Sequence, residues 1–277
     1  MNTAVILPAA GLGKRFAVGE RASASKVEFE LAHKPVFLHA IDRFHGRGDV
    51  GQILLAIHPA CLDAFAFRWA DKLSFMGVRL IAGGEAERWQ TVQLALEQVA
   101  DEATHIAVHD AARPCASSAM IDRVFAAAER WGAAVPGLPM GDTVKRVSDP
   151  VEQPAPADPL DAIFDAPLEA IRETRTVLET VPRHDLYRVQ TPQVFERAML
   201  IDAYAALSAD NADGVTDDAS VVERAGHAVY AVQGDPLNLK LTHPDDAELI
   251  EAIFRLRLEK QAQTDAVKQL FGDDDDE

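Results

Sequence analysis

Ala4-Val-Ile-Leu-Pro-Ala-Ala-Gly-Leu-Gly-Lys-Arg-Phe16, near the start of a 277-residue chain, reads as a short apolar strand running into a loop where Gly11, Gly13, Lys14 and Arg15 lie together. Glycines lack Cβ and let backbone N–H groups turn toward an anion, and the two adjacent cations add charge of the kind a triphosphate needs. A dinucleotide-binding fingerprint requires a third glycine where Phe16 stands, and the ring would block close helix–strand approach. A Walker loop requires four residues between its glycines and a hydroxyl after its lysine. Here one residue separates the glycines, and Arg15 follows Lys14. An ordinary strand-to-helix turn also uses glycines; Lys14 and Arg15 favour the phosphate cradle over it.

Outward from this loop, strands and helices alternate. Pro35 opens an apolar-periodic segment through Phe44 that reads as a helix, followed by strand 53–57, helix 61–75, strand 78–82 ending at Gly83-Gly84, and helix 88–99. Strand 106–108 ends in His109-Asp110, Ser117 or Ser118 is placed to cap a helix running to Trp131, and 133–138 is another strand. The pattern predicts an α/β fold with a doubly wound, mostly parallel sheet and a ligand crevice at the carboxyl ends of its strands. Gly11 to Arg15, Gly83 to Arg88 and Asp110 to Arg113 all follow predicted strands. From Gly141 the pattern changes: strand 142–147, a loop with prolines at 150, 154, 156 and 159, a short helix over 160–172, and strands 176–181 and 187–190 form an excursion spanning 141–193. Helices over 195–209 and 217–225, strands 229–232 and 239–241, and a closing helix from Pro244 complete the chain. Residues 1–257 read as one domain that includes this arm, and 258–277 as a helix end followed by an acidic, disordered tail.

With 48% hydrophobic residues the chain can bury a large core. Its formal net charge of -17 argues against a general nucleic-acid binder and makes any anion site a local feature. Cys61 and Cys115 provide no disulfide framework, and the apolar 4–10 run is too short for a membrane span and poorly built for a signal peptide. The expectation is a cytoplasmic protein with no membrane partner.

Val108-His-Asp-Ala-Ala-Arg-Pro-Cys115, Gly11-Leu-Gly-Lys-Arg15 and Gln190-Thr-Pro-Gln193 together resemble the 2-C-methyl-D-erythritol 4-phosphate cytidylyltransferase family, within the sugar-nucleotide pyrophosphorylase-like nucleotidyltransferases. Thr216-Asp-Asp-Ala-Ser220 and Asn238-Leu-Lys-Leu-Thr242 add to the match, which extends to about Phe254. The resemblance implies a Rossmann-like nucleotidyltransferase fold that joins CTP to a sugar-alcohol phosphate with Mg²⁺ or another divalent cation, releasing pyrophosphate. It also implies a homodimer formed through the 141–193 arm. By the same resemblance Arg15 and Lys26 are the transition-state cations, and Ala9, Ala10, Gly84, Arg88 and Thr91 serve the nucleotide beside Gly11, Gly13 and Lys14. Arg113, Thr143, Arg183, Thr191 and Lys240 serve the acceptor. The chain departs from the family at Ser25-Lys26-Val27, where Pro-Lys-Gln is usual, at Leu237, at Pro182 and in the long 149–175 insertion.

The chemistry of these residue types agrees with that implication. Attack of one phosphate oxygen on the α-phosphorus of another anion is opposed by repulsion, and charge builds on the bridging oxygen as pyrophosphate leaves, so catalysis requires positioning and positive charge. Asp110, at a strand end in the crevice, is the natural carboxylate for the nucleotide or a metal, with helix capping as the alternative. Arg113 either faces substrate or pairs with Asp110, and the substrate side is favoured by the resemblance. Two other functions compete: a cytidylyltransferase for a different alditol phosphate such as ribitol 5-phosphate, and a catalytically silent nucleotide-binding protein.

Overall fold

The computed structural model describes residues 1–11, 26–151 and 174–271. Gly13, Lys14 and Arg15, the expected 160–172 helix and the acidic run 273–277 lie outside the described residues. The chain divides into two compact units, Met1–Gly137 with Val189–Glu277, and Leu138–Arg188.

In the first unit, β1 (Thr3–Ala9) is followed by the short hairpin β2 (Glu30–Leu31) and β3 (Lys34–Pro35), then α1 (Val36–Asp42), β4 (Val50–Ile57), α2 (Pro59–Phe75), β5 (Val78–Ala82), α3 (Arg88–Leu96), β6 (His105–Val108), α4 (Ser118–Trp131) and β7 (Ala133–Pro139). The second unit contains the antiparallel pair β8 (Val144–Pro150) and β9 (Arg175–Val181), and β10 (Tyr187–Val189) lies at its end. The chain then returns to the first unit with β11 (Gln193–Glu196), helices Arg197–Ala205 and Asp218–Arg224, β12 (Tyr230–Gln233) and helix Asp246–Phe271. The main sheet runs β7-β11-β6-β1-β4-β5, with β12 on β7. β1 is parallel to β4 and β6, β4 to β5, and β12 to β7.

Both faces of β1 are covered. Val5 and Leu7 join Phe37, Leu55, Phe65 and Ile121 on one side, while Ala4 and Ile6 join Leu54, Val92, Ile106 and Phe195 on the other. A strand buried on both faces can be apolar at every position, which is what residues 4–7 supply. Burying each of Val5, Ile6 and Leu7 contributes about 1.5–3 kcal/mol.

Three expected elements need correction. The helix expected from residue 195 begins at Arg197, because Gln193–Glu196 is a strand wedged antiparallel between β6 and β7. Its Val194 and Phe195 enter opposite cores, the alternation of a strand, and four residues are too few to show that period against a helical run. The strand expected at 239–241 is a loop: Leu239 N–H bonds the Leu237 carbonyl, and Leu241 N–H bonds the Ala112 carbonyl 2.8 Å away. The closing helix starts at Asp246, whose carboxylate accepts the backbone N–H groups of Thr242 and His243.

One buried polar junction ties the end of β6 to the segment entering β11. The His109 ring is wholly buried, with Nε2 3.0 Å from the Arg113 carbonyl and Nδ1 3.1 Å from the Thr191 hydroxyl. A carbonyl can only accept, so Nε2 carries the proton and the Thr191 O–H donates to Nδ1, while the same hydroxyl accepts the Asp110 N–H at 3.1 Å. Thr191 is therefore committed within the protein, and it lies in the first unit, outside the second unit that holds most of the expected arm. Its hydroxyl proton is used within the protein, and the hydroxyl oxygen keeps one acceptor lone pair.

Burial pushes the His109 pKa down to about 4, against the opposing pull of the Arg113 carbonyl. The unfolded chain therefore binds a proton near pH 6.5 that the folded chain refuses, and stability from this group is complete above about 6.5 and is lost as pH falls toward 4. That loss is on the order of 3 kcal/mol. Urea unfolding of the wild type and of His109→Asn at pH 7 and pH 4.5 should show a smaller acid loss in the variant, and an equal loss in both would contradict this.

Candidate active site

The carboxyl ends of β1, β5 and β6 open on one cleft of about 630 Å³, counting its open mouth. Ala9, Ala10 and Gly11 enter it from β1, Gly84 from β5, Arg88 and Thr91 from the start of α3, and Asp110 from β6. Lys26 and Val27 of a short 3-10 turn and Lys240 of the 237–243 loop complete its walls. The cleft lies where parallel α/β sheets place their ligands, because neighbouring strand ends diverge there and helix starts converge.

Its floor is organised by Asp110. Its side chain is only 10% exposed, and three cations surround the carboxylate: Lys240 Nζ at 2.8 Å, Arg113 Nε at 3.3 Å and Arg88 Nε at 3.5 Å. Burial alone would favour the neutral acid, but the charges of Arg88, Lys240 and Arg113 outweigh it and hold the carboxyl far below the usual carboxylate range. Arg88 is held from behind by Asp218, at 2.8 Å, and Asp218 in turn accepts the Tyr204 hydroxyl at 2.7 Å. Arg113 also donates to the Asn238 carbonyl at 2.8 Å. Of the two positions open to Arg113, the internal pair with Asp110 is present: its guanidinium joins Asp110 to the 237–243 loop, and the desolvation cost of the contact is offset only while both partners are there.

Three cations, Lys26, Arg88 and Lys240, line the cleft against two carboxylates, Glu87 and Asp110. A net positive lining in a chain of net charge -17 is a local departure in the direction that suits an anion.

The apolar and backbone side of the cleft is equally specific. Gly84 donates its N–H to the Thr91 hydroxyl at 3.0 Å, leaving Thr91 its own O–H as a donor. A Cβ at Gly84 would stand 2.7 Å from Gln90 Cβ and 3.0 Å from Thr91 N, so only glycine permits this approach of β5 to α3.

Of the expected site residues, the structure gathers Ala9, Ala10, Gly11, Lys26, Gly84, Arg88, Thr91, Asp110 and Lys240 in one cleft, with Arg113 behind Asp110. Thr143 and Arg183 lie in the second unit, where Arg183 donates to the Gly141 carbonyl. Sequence reasoning assigned no role to Asp218, Tyr204, Gln190 or Asn238. Asp218 follows the N-cap Asp217 and reads as a first-turn acid, and only the fold brings it to Arg88, 130 positions away in sequence. Gln190 similarly clasps the Asp235 backbone, from Nε2 to its carbonyl at 2.9 Å and from its N–H to Oε1 at 3.1 Å. Asp235 caps its own loop by accepting the Leu237 N–H at 2.8 Å. Among the described residues there is no cluster of three or more metal-ligating side chains.

Comparison with known proteins agrees with this arrangement. A family described as 2-C-methyl-D-erythritol 4-phosphate cytidylyltransferase matches residues 3–154 and 160–256. Proteins of that name from Acidobacterium capsulatum and Rhodopirellula baltica are 38% and 37% identical, over 93% and 91% of this chain and 98% and 95% of their own lengths. The crystal structure of the enzyme of that name from Thermus thermophilus superposes with a TM-score of 0.65 at 29% identity, covering 92% of this chain and 100% of the other. The family match spans both ends of the cleft, the β1 loop and the 237–243 loop, and with it the chain belongs to the 2-C-methyl-D-erythritol 4-phosphate cytidylyltransferase family.

Proposed function

We propose that this chain transfers the cytidylyl group of CTP to 2-C-methyl-D-erythritol 4-phosphate, forming 4-diphosphocytidyl-2-C-methyl-D-erythritol and pyrophosphate in non-mevalonate isoprenoid precursor synthesis. The observation that carries this reading is the positive cleft in which Lys26, Arg88, Asp110 and Lys240 meet at the carboxyl ends of the strands. A phosphate oxygen of the acceptor attacks the α-phosphorus, the new P–O bond forms as the bond to the bridging oxygen breaks, and that oxygen leaves with pyrophosphate. No covalent enzyme intermediate is needed.

Lys26, with Arg15 of the loop outside the described residues, neutralises the charge that builds on the phosphoryl oxygens. Ala9, Ala10, Gly84 and Thr91 offer the cytosine edge backbone groups and one hydroxyl, and Gly11, Gly13 and Lys14 cradle the triphosphate. Arg88 and Lys240 keep the Asp110 carboxylate ionised and in register. A magnesium ion typically keeps water and phosphate oxygens and takes only one or two protein carboxylates. The one carboxylate on the cleft floor, Asp110, is already met by Lys240, Arg113 and Arg88, so the ion would be held mainly by the phosphates, where it would supply charge neutralisation.

Thr143 and Arg183 bind the acceptor phosphate across a twofold axis, each subunit completing its partner's site. The enzyme acts as a cytoplasmic homodimer, and no helix among the described residues is long and apolar enough to cross a membrane.

Lys26→Ala should lower kcat by roughly two orders of magnitude with the fold intact, since it removes charge from a surface turn and no core packing. Pyrophosphate release from CTP, magnesium and a panel including methylerythritol 4-phosphate and ribitol 5-phosphate should favour the first acceptor. Wild-type turnover in the variant, preference for ribitol 5-phosphate, or no release with either acceptor would contradict the reading. The shared site is tested by mixing Lys26→Ala and Arg183→Ala subunits. After verified exchange, equal amounts should recover about a quarter of wild-type activity, because half the dimers are mixed and each holds one intact site. No recovery would place the arm on its own subunit.

A further inference from the structure

Lys26 sits in a three-residue 3-10 turn, Lys26–Glu28, closed by the Phe29 N–H on the Lys26 carbonyl at 3.3 Å. Two anchors follow Lys26 within that turn. Val27 is 4% exposed and packs in the core with Phe37, Leu38 and Phe65. Glu28 points the other way, onto α2, where its Oε1 accepts Arg68 Nη2 at 2.8 Å, Arg68 Nε at 3.0 Å and Trp69 Nε1 at 3.0 Å. Oε2 accepts Arg68 Nη2 at 2.9 Å. Trp69 is itself fixed edge-on against Phe37, with ring centroids 5.3 Å apart.

A forked guanidinium and an indole N–H on one carboxylate define a single orientation, which a lone ion pair does not. The Arg68 side chain is nearly half exposed, so this pair contributes little to global stability. Its geometric effect falls on the turn. With Val27 in the core and Glu28 clamped to α2, the backbone of the residue before them has little freedom left, and that residue is Lys26.

We propose that Glu28 is a positioning residue for Lys26, clamped by Arg68 and Trp69 so that the Lys26 ammonium is presented to the cleft. The inference rests on the catalytic reading of Lys26 and extends it to three residues outside the cleft. Small displacements of a charge-stabilising group are felt in the chemical step far more than in ground-state binding.

The test is a double-mutant cycle on kcat, KM for CTP and melting temperature, with Glu28→Ala, Arg68→Ala, Lys26→Ala and the combination Lys26→Ala with Glu28→Ala. Glu28→Ala should lower kcat roughly tenfold and change KM for CTP by less than about twofold, with Arg68→Ala following in the same direction. In the Lys26→Ala background, Glu28→Ala should change the residual rate by less than about twofold, because the group it positions is gone. If Glu28→Ala does not fold, Glu28→Gln takes its place in the cycle. Equal factors in both backgrounds, or wild-type kcat in both Glu28→Ala and Arg68→Ala, would overturn the positioning role while leaving the function intact. Wild-type activity in Lys26→Ala would overturn both.

Discussion

A carboxylate that must stay ionised in a nearly dry position is the constraint around which this protein is arranged. Asp110 stands at the end of β6, where burial opposes its charge, and three cations from three separate segments converge on it. Two of them have a further commitment, Arg88 to Asp218 and Arg113 to the Asn238 carbonyl. Removing one cation would leave its neighbours in place but unbalance a buried charge, which costs far more than an exposed ion pair contributes. The parallel strands, the α3 start and the 237–243 loop are thereby held to one point on the floor of the cleft.

The same arrangement explains why several polar residues of types suited to a phosphate face inward. Thr191 and His109 complete a junction that fixes the Asp110 backbone, and Arg113 joins the loop behind it. A triphosphate site needs cations that are already ordered before the ligand arrives, since arranging them during the reaction would raise the barrier. Buried partners such as Asp218 and Tyr204 provide that order at a distance from the opening.

Legibility in the sequence followed the range of the interactions. The apolar run 4–10, the glycine pairs and the D-A-A-R-P segment carry local signals, and the strand–helix alternation and the position of the cleft could be read from them. β11 escaped because four residues cannot declare a period, and its antiparallel insertion between β6 and β7 depends on the chain's return from the second unit. The resemblance puts Arg113 and Thr191 on the acceptor side; their partners within the fold, the Asn238 carbonyl and the His109 ring, were not legible because no spacing rule links those positions. Asp218 was hidden by a capping role that its neighbour Asp217 fills.

Whether the ionised Asp110 carboxylate sets the geometry of the reacting charges is decided by the single-turnover rate of Asp110→Asn at saturating CTP, magnesium and acceptor. The substitution keeps the shape and removes the charge that Arg88, Arg113 and Lys240 converge upon. The rate should fall by roughly two orders of magnitude in a protein that remains folded. A folded variant reacting at the wild-type rate would contradict it.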